Sequence, residues 1–175
     1  MTVLINKQIK ARLGSSIIIE PFNDASLNTC SYDVTIGPWI WRIDQSKNGL
    51  HFQYAEADDS IFLNPKERIL AATNEFIGGR YNVVPEMRAR STTGRMGLTV
   101  CSDAGWGDIG FCGRWTMEVM NLNPMPISIP IGARFAQIVF HHTEEIDDDT
   151  SYDKQGRYAP SFEWKPEDML PKGWK

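Results

Sequence analysis

From Pro85 to Phe140 the chain is written in a two-residue period broken by turn residues, and that pattern limits the folds open to it. Met87 and Ala89 alternate with Glu86, Arg88 and Arg90, and Trp115, Met117 and Val119 alternate with Arg114, Thr116 and Glu118. Successive side chains of a strand point to opposite faces, so each stretch reads as a strand with one apolar and one polar face. Ile127 and Ile129 follow a Pro-rich turn, and Phe135 to Phe140 makes a last strong strand. Upstream, the run Ile17-Ile18-Ile19 predicts a strand from Ser15 to Glu20, ended by Pro21. The stretches from Trp39 to Ile43 and from Leu50 to Tyr54 flank Lys47-Asn48-Gly49, a hairpin signal. Asn64-Pro65-Lys66-Glu67 is a further turn, before the apolar run Ile69-Leu70-Ala71-Ala72. One short helix is predicted where Ile5, Ile9 and Leu13 recur every four residues, with Asn6 as N-cap and Gly14 as stop. Many short strands, frequent turns and little helix predict an all-β sandwich or barrel.

A chain of 175 residues fits one domain and has no room for a second core of ordinary size. With 42% hydrophobic and 23% charged residues it has the composition of a soluble globular protein. A net charge of −4 argues against general nucleic-acid binding, so any anion site must be local. No stretch approaches the roughly 20 apolar residues of a membrane span, and the opening MTVLINKQIK lacks the apolar core of a signal peptide. Cys30, Cys101 and Cys112 are odd in number and irregular in spacing, which predicts free thiols in a reduced, cytoplasmic protein. The acidic run from Glu144 to Asp149 reads as a solvated loop. Residues 150–175, with Tyr152 to Tyr158 and a Trp/Pro-rich end, read as an extended arm that packs on a neighbouring subunit or closes over a ligand.

Candidate chemistry concentrates between Arg90 and Glu118. The turn Arg90-Ser91-Thr92-Thr93-Gly94-Arg95 offers two guanidinium groups and three hydroxyls, the donors a polyphosphate needs. The Gly-rich loop from Gly105 to Gly110 lets a backbone approach a flat ligand around Asp108. Glu118 is a carboxylate in mid-strand, which is costly in a β core unless paired or used. Together these groups point to a nucleotide enzyme.

The same run resembles the dCTP deaminase family, a branch of the dUTPase-like superfamily. Arg90 to Leu98 follows that family's R-S-S-x-x-R-x-G-L. Ala104-Gly105-Trp106 and Asp108-Ile109-Gly110-Phe111-Cys112-Gly113 follow its A-G-F/W-I-D-x-G-F-x-G. Thr116-Met117-Glu118 sits on its T/V-L-E, and Gly132 to Gln137 on its G-x-x-I-x-Q. Ser31-Tyr32-Asp33 and Gly37 match S-Y-D-x-x-x-G, and all the matches run in family order.

The resemblance implies a dUTPase-like distorted barrel or jelly-roll-like sandwich, and a homotrimer with sites between subunits. It also implies hydrolytic deamination of dCTP without zinc, with Mg²⁺ present only alongside the triphosphate. The zinc deaminase signature, H-x-E followed by P-C-x-x-C, is missing: His51, His141 and His142 are not spaced for it. By the resemblance, Glu118 is the general base, acting with Ser91 and Arg95, while the backbone at Ala104 holds the water. A nearby Arg95 would keep Glu118 ionised. Arg90, Ser91, Thr92, Thr93, Gly94, Arg95, Asp108, Thr116, Met117, Glu118, Tyr152 and Arg157 form the implied nucleotide site. Gly105-Trp106 resembles the members that carry dUTP onward to dUMP and pyrophosphate. The chain departs from the pattern at Asp103, at Gly107 (where an isoleucine is usual, predicting a loosened packing position) and in the arm at Arg157-Tyr158. A plain dUTPase and a non-catalytic nucleotide-binding regulator remain alternatives, and a modified deoxycytidine nucleotide, as a viral enzyme in host cytoplasm would use, remains an alternative substrate.

Overall fold

The computed structural model describes residues 1–159 and 163–173. Strands dominate: β1 (Thr2–Val3), β2 (Ile17–Glu20), β3 (Tyr32–Ile43), β4 (Phe52–Glu56), β5 (Ser60–Leu63), β6 (Arg68–Gly79), β7 (Val83–Ala89), β8 (Cys112–Met120), β9 (Ile127–Pro130) and β10 (Arg134–His142). Three short helices interrupt them: α1 (Asn6–Lys10), α2 (Ser91–Arg95) and α3 (Tyr152–Gln155).

All the strand pairs are antiparallel, in a large sheet of order β1-β10-β3-β6-β2, with β4 beside β3, β7 beside β10 and β8 beside β6. β5 and β9 form a separate two-stranded sheet. The sheet does not close on itself; it bends where β3 slips register between Ile36 and Ile40, and where β6 slips between Ala72 and Phe76. Residues 32–35 of β3 therefore pair with β10, and its later residues pair with β6 and β4. Strands that change layers at such bends fold one sheet into two facing layers. The all-β, jelly-roll-like expectation matches this arrangement.

Between the layers lies the main core, which includes Ile36, Ile40, Ile69, Ala71, Met117, Val119, Met87, Phe135, Ile138 and Phe140. The alternation read in the sequence places Trp115, Met117 and Val119 of β8 inward. Their neighbours Thr116 and Glu118, with Leu70 and Ala72 of β6, face the other way. That outer face is covered too. Trp41, Leu70, Ala72 and Met169 make a second, smaller cluster, against which Trp39, Phe52, Trp164 and Leu170 pack.

Three local expectations are corrected. Helix α1 ends at Lys10, and its N-cap is Ile5, not Asn6; the Ile5 N–H donates to Gln8 Oε1 at 3.0 Å. Leu13 lies beyond the helix and bridges to Ile17. The arm is not extended: it forms a 3₁₀ turn at Asp148–Thr150, then α3, then a second 3₁₀ turn at Pro166–Met169. Local side-chain bonds build these turns, among them Thr150 Oγ1 to Asp147 O at 2.7 Å and Lys165 N–H to Asp168 Oδ2 at 2.9 Å. Part of the Trp/Pro-rich end, residues 160–162 and 174–175, lies outside the described residues. Glu144, Glu145, Asp147, Asp148 and Asp149 are exposed, as a solvated loop requires.

Candidate active site

A cavity of about 480 Å³ lies on the outer face of β6 and β8, beneath the arm. Its floor carries Leu70, Thr116 and Glu118; the Gly-rich loop supplies Ala104, Trp106, Gly107, Asp108 and Phe111; the arm supplies Tyr152, Tyr158, Trp164 and Lys172. Flat aromatic walls with a few polar groups suit a planar heterocycle.

Glu118 stands directly opposite Leu70 in the β6–β8 pair. Its Oε2 is buried and has no hydrogen-bond partner among the described residues. Burial pushes its carboxyl pKa up, while its own backbone N–H and then the Arg68 guanidinium pull it back down. The strand is pinned at this point by Thr99, whose Oγ1 donates to Glu118 O and accepts from Met120 N–H, both at 2.9 Å. An unpartnered buried carboxylate beside an open cavity is poised to exchange a proton with whatever enters.

The Gly-rich loop is held by backbone contacts that need glycine. A Cβ at Gly105 would lie 2.3 Å from Met87 O, where the Met87 N–H donates to Gly105 O at 2.6 Å. These glycines thus bring the loop against β7 and not only against a ligand. Gly107 is not a loosened position: a Cβ there would meet the Trp115 indole at 2.4 Å, so the indole occupies the space of the side chain that is absent. Trp115 is fixed by Nε1–H donation to Ile77 O at 3.1 Å and by edge contact with Phe111.

The turn at Arg90 is built by residues from several motifs. Arg90 Nε lies 2.9 Å from Asp33 Oδ2, its Nη1 donates to Arg134 O at 2.7 Å, and Asp33 is almost fully buried. Asn28 Nδ2 donates to Asp33 Oδ1, Ser31 Oγ to Gln137 Oε1, and Gln137 Nε2 to Ala89 O. Thr93 is buried with its hydroxyl donating to Phe135 O at 2.6 Å. Ser91, Thr92, Gly94 and Arg95 remain exposed on α2.

Comparison with known proteins agrees with these motifs. The family model described as dCTP deaminase-like matches residues 3–143. The chain belongs to the dCTP deaminase-like family. A protein of Cytophaga hutchinsonii named "dCTP deaminase, dUMP-forming" is 35% identical over 149 residues, covering 81% of this chain and 83% of its own. One of Methanopyrus kandleri with the same name is 31% identical, covering 90% of this chain and 91% of its own. The crystal structure of the 2'-deoxycytidine 5'-triphosphate deaminase from Agrobacterium tumefaciens superposes with a TM-score of 0.66 at 18% identity. That alignment covers 81% of this chain and 48% of that one, so the chain spans about half the length of that structure. A point mutant of the dUTPase from phage phi11 of S. aureus shares the fold with a TM-score of 0.51 at 13% identity, covering 79% of this chain and 99% of that one.

Within one chain, the dCTP deaminase-like site divides in two. Ala104, Asp108, Thr116, Glu118 and Tyr152 line the cavity; Arg90, Ser91, Thr92, Thr93, Gly94 and Arg95 do not. Met117, expected at the nucleotide, points into the main core. Within one chain the guanidinium that pulls the Glu118 pKa down is that of Arg68, and the net shift is upward. Arg157 donates to Lys172 O at 2.6 Å, and it is Lys172 that reaches the cavity wall.

Among the wall residues that the reading of the sequence missed are Phe52, Arg68, Arg114, Trp164 and Lys172. Arg114 is held between rings, its guanidinium 4.4 Å from the Trp39 centroid, 4.7 Å from Phe76 and 5.5 Å from Trp164. Its only sequence signal was membership of the Glu118 face. The arm is fastened over this triad by Trp41 Nε1–H donation to Pro166 O at 2.7 Å.

Proposed function

We propose that the protein deaminates dCTP hydrolytically and carries the product on to dUMP and pyrophosphate, in pyrimidine deoxynucleotide metabolism. The observation that carries this reading is the half-buried Glu118 carboxylate on the floor of an aromatic cavity, its Oε2 buried and without a hydrogen-bond partner among the described residues. Burial raises the pKa of this carboxyl, which makes it a stronger proton acceptor than a solvated one. In this reading Glu118 accepts a proton from a water as the oxygen attacks C4 of the cytosine, and delivers it to N3. Transfer of the C4 hydroxyl proton to the amino nitrogen, through Glu118, lets the C4–N bond break, ammonia leave and the C4 carbonyl form. The Ala104 N–H is already committed to Cys101 O at 2.7 Å, which leaves the Ala104 carbonyl to orient the water. Asp108, exposed at the cavity edge, would position a second water for attack on the α-phosphate. That the relatives carry the name "dUMP-forming" supports this second step.

The reading includes a homotrimer. Ser91, Thr92 and Arg95 are exposed and lie off the cavity of their own chain, so α2 of a neighbour would complete the site with its hydroxyls and guanidinium. Mg²⁺ would enter as the triphosphate's counter-ion, held by phosphate oxygens and waters. Three free thiols support a reduced, cytoplasmic setting. No described helix is long and apolar enough to cross a membrane.

The test is to incubate the protein with Mg²⁺ and either dCTP or dUTP, and to resolve the products. Release of ammonia with dUMP and pyrophosphate from dCTP is expected. Accumulated dUTP would reject the second step alone, and unchanged dCTP would reject the deaminase.

A further inference from the structure

We propose that Arg68 is a positioning residue of this reaction, holding the Glu118 carboxylate in its ionised form. The proposal rests on the deaminase reading of the cavity and adds a residue that the family motifs do not include.

Geometry comes first. Arg68 pairs with Met120 and Leu70 with Glu118, so Arg68 is the diagonal neighbour of Glu118 on the same face of the β6–β8 pair. Diagonal neighbours lie roughly 7–8 Å apart at the backbone, within reach of a long side chain. Both residues line the cavity.

The other cations of the cavity wall are occupied. Arg114 donates to the carbonyls of Thr73 and Asn74 and lies among three aromatic rings. Lys172 donates to Arg157 O at 2.8 Å and sits over the Tyr158 ring. The Arg68 guanidinium has no ion pair or hydrogen bond among the described residues.

Apart from its own backbone N–H, the remaining groups of the same chain around Glu118 do not favour its charge. Leu70 opposes it on β6, Thr116 shares its face on β8, and Thr99 bonds only its backbone. Cys101, on the adjoining loop, has its thiol pKa pushed up to about 11 by burial and then by the Glu118 charge. Asp108 on the loop and Asp168 on the arm bring further carboxyl groups, and Tyr152 and Tyr158 bring phenol hydroxyls, so none of them adds a cation. A base must be ionised when water arrives, and an opposite charge nearby is what favours that state. Arg68 supplies it from the exposed outer edge of the cavity.

The experiment follows the Glu118 carboxyl by ¹³C NMR of the full chain labelled at glutamate, without nucleotide. Its resonance is assigned by its loss in Glu118→Gln. Arg68→Leu is expected to raise the Glu118 midpoint by about one pH unit, the lower end for a nearby opposite charge. Arg68→Lys should titrate within a few tenths of a unit of the native protein. Arg68→Gln serves in place of the leucine variant if that variant does not fold. An unchanged midpoint in the neutral variants would overturn the proposal. In parallel, the ascending limb of kcat/KM for dCTP against pH should move by the same amount, with the high-pH plateau kept within a few-fold. A fall of the plateau without movement of the limb would show a packing role and also overturn the proposal. Absence of dCTP turnover in the native protein would instead reject the deaminase reading, and the NMR titration would still decide the role of Arg68.

Discussion

Replacing Glu118 by glutamine separates the proposed chemistry from everything else the cavity does. The substitution keeps the length and shape of the side chain opposite Leu70 and removes the proton acceptor. Loss of a positioned general base costs about 10²–10⁴-fold in rate, which is roughly 3–5 kcal/mol of barrier. The groups assigned to the polyphosphate and the aromatic walls are untouched, so dCTP affinity should stay within a few-fold. A fall in kcat without a matching loss of binding is the signature of a group that acts in the transition state. Stability should move the other way. The folded Glu118 carboxyl has its pKa raised by burial, so its contribution is most favourable below the unfolded value and declines as pH rises through the folded value. Near neutral pH the native protein holds a carboxylate with one buried, unpartnered oxygen, and the glutamine variant should be more stable by about 1 kcal/mol. That is roughly 2–4 °C in Tm for a chain of this size. The gain should vanish below about pH 4, where the native carboxyl is protonated in both states. The assays are dCTP turnover, calorimetric binding of dCTP, and thermal melts at pH 4 and pH 7.5. A folded variant that deaminates dCTP near the native rate would refute the mechanism.

Asp108→Asn should leave deamination within about tenfold of native while dUTP accumulates from dCTP, as product analysis would show; continued release of dUMP would remove Asp108 from the second step. Gly107→Ile should lower stability by about 3 kcal/mol, since the added side chain meets the Trp115 indole, and Gly107→Ile with Trp115→Ile should recover part of the lost Tm. Arg90→Ala leaves buried Asp33 with the Asn28 amide and, as its one remaining cation, Arg134 at 3.7 Å, and should cost about 2–3 kcal/mol in denaturant unfolding, below the full range for a buried pair because Arg90 is partly exposed. Trp41→Phe removes the bond to Pro166 O and should raise KM for dCTP and speed proteolysis within the arm, at a cost near 1 kcal/mol.

Much of this molecule is legible in the chain because strands and turns are local. The alternation around Trp115, Met117 and Val119 is enough to say which side of β8 is buried and that Glu118 lies on the other. Spacing and motif order are enough to name the family. What the Glu118 side of the strand faces was decided by distant residues. Trp41, Leu70 and Met169 form a second cluster only because the arm folds back across β3 and β6, and that return covers the cavity. Gly107 looked like a gap because its compensation, the Trp115 indole, comes from a strand eight positions on and meets it across the loop. Arg68 carries no signal in sequence, since its meaning is its diagonal register with Glu118, and register is a property of two strands paired at a distance. The partners of the Arg90 guanidinium, Asp33 and the Arg134 carbonyl, are likewise not legible in the turn, because they come from distant parts of the sequence. Period-two patterning is set by backbone geometry within a few residues, so the sequence alone determines it; partners for a charge are set by which strands lie side by side, and only the tertiary structure decides that.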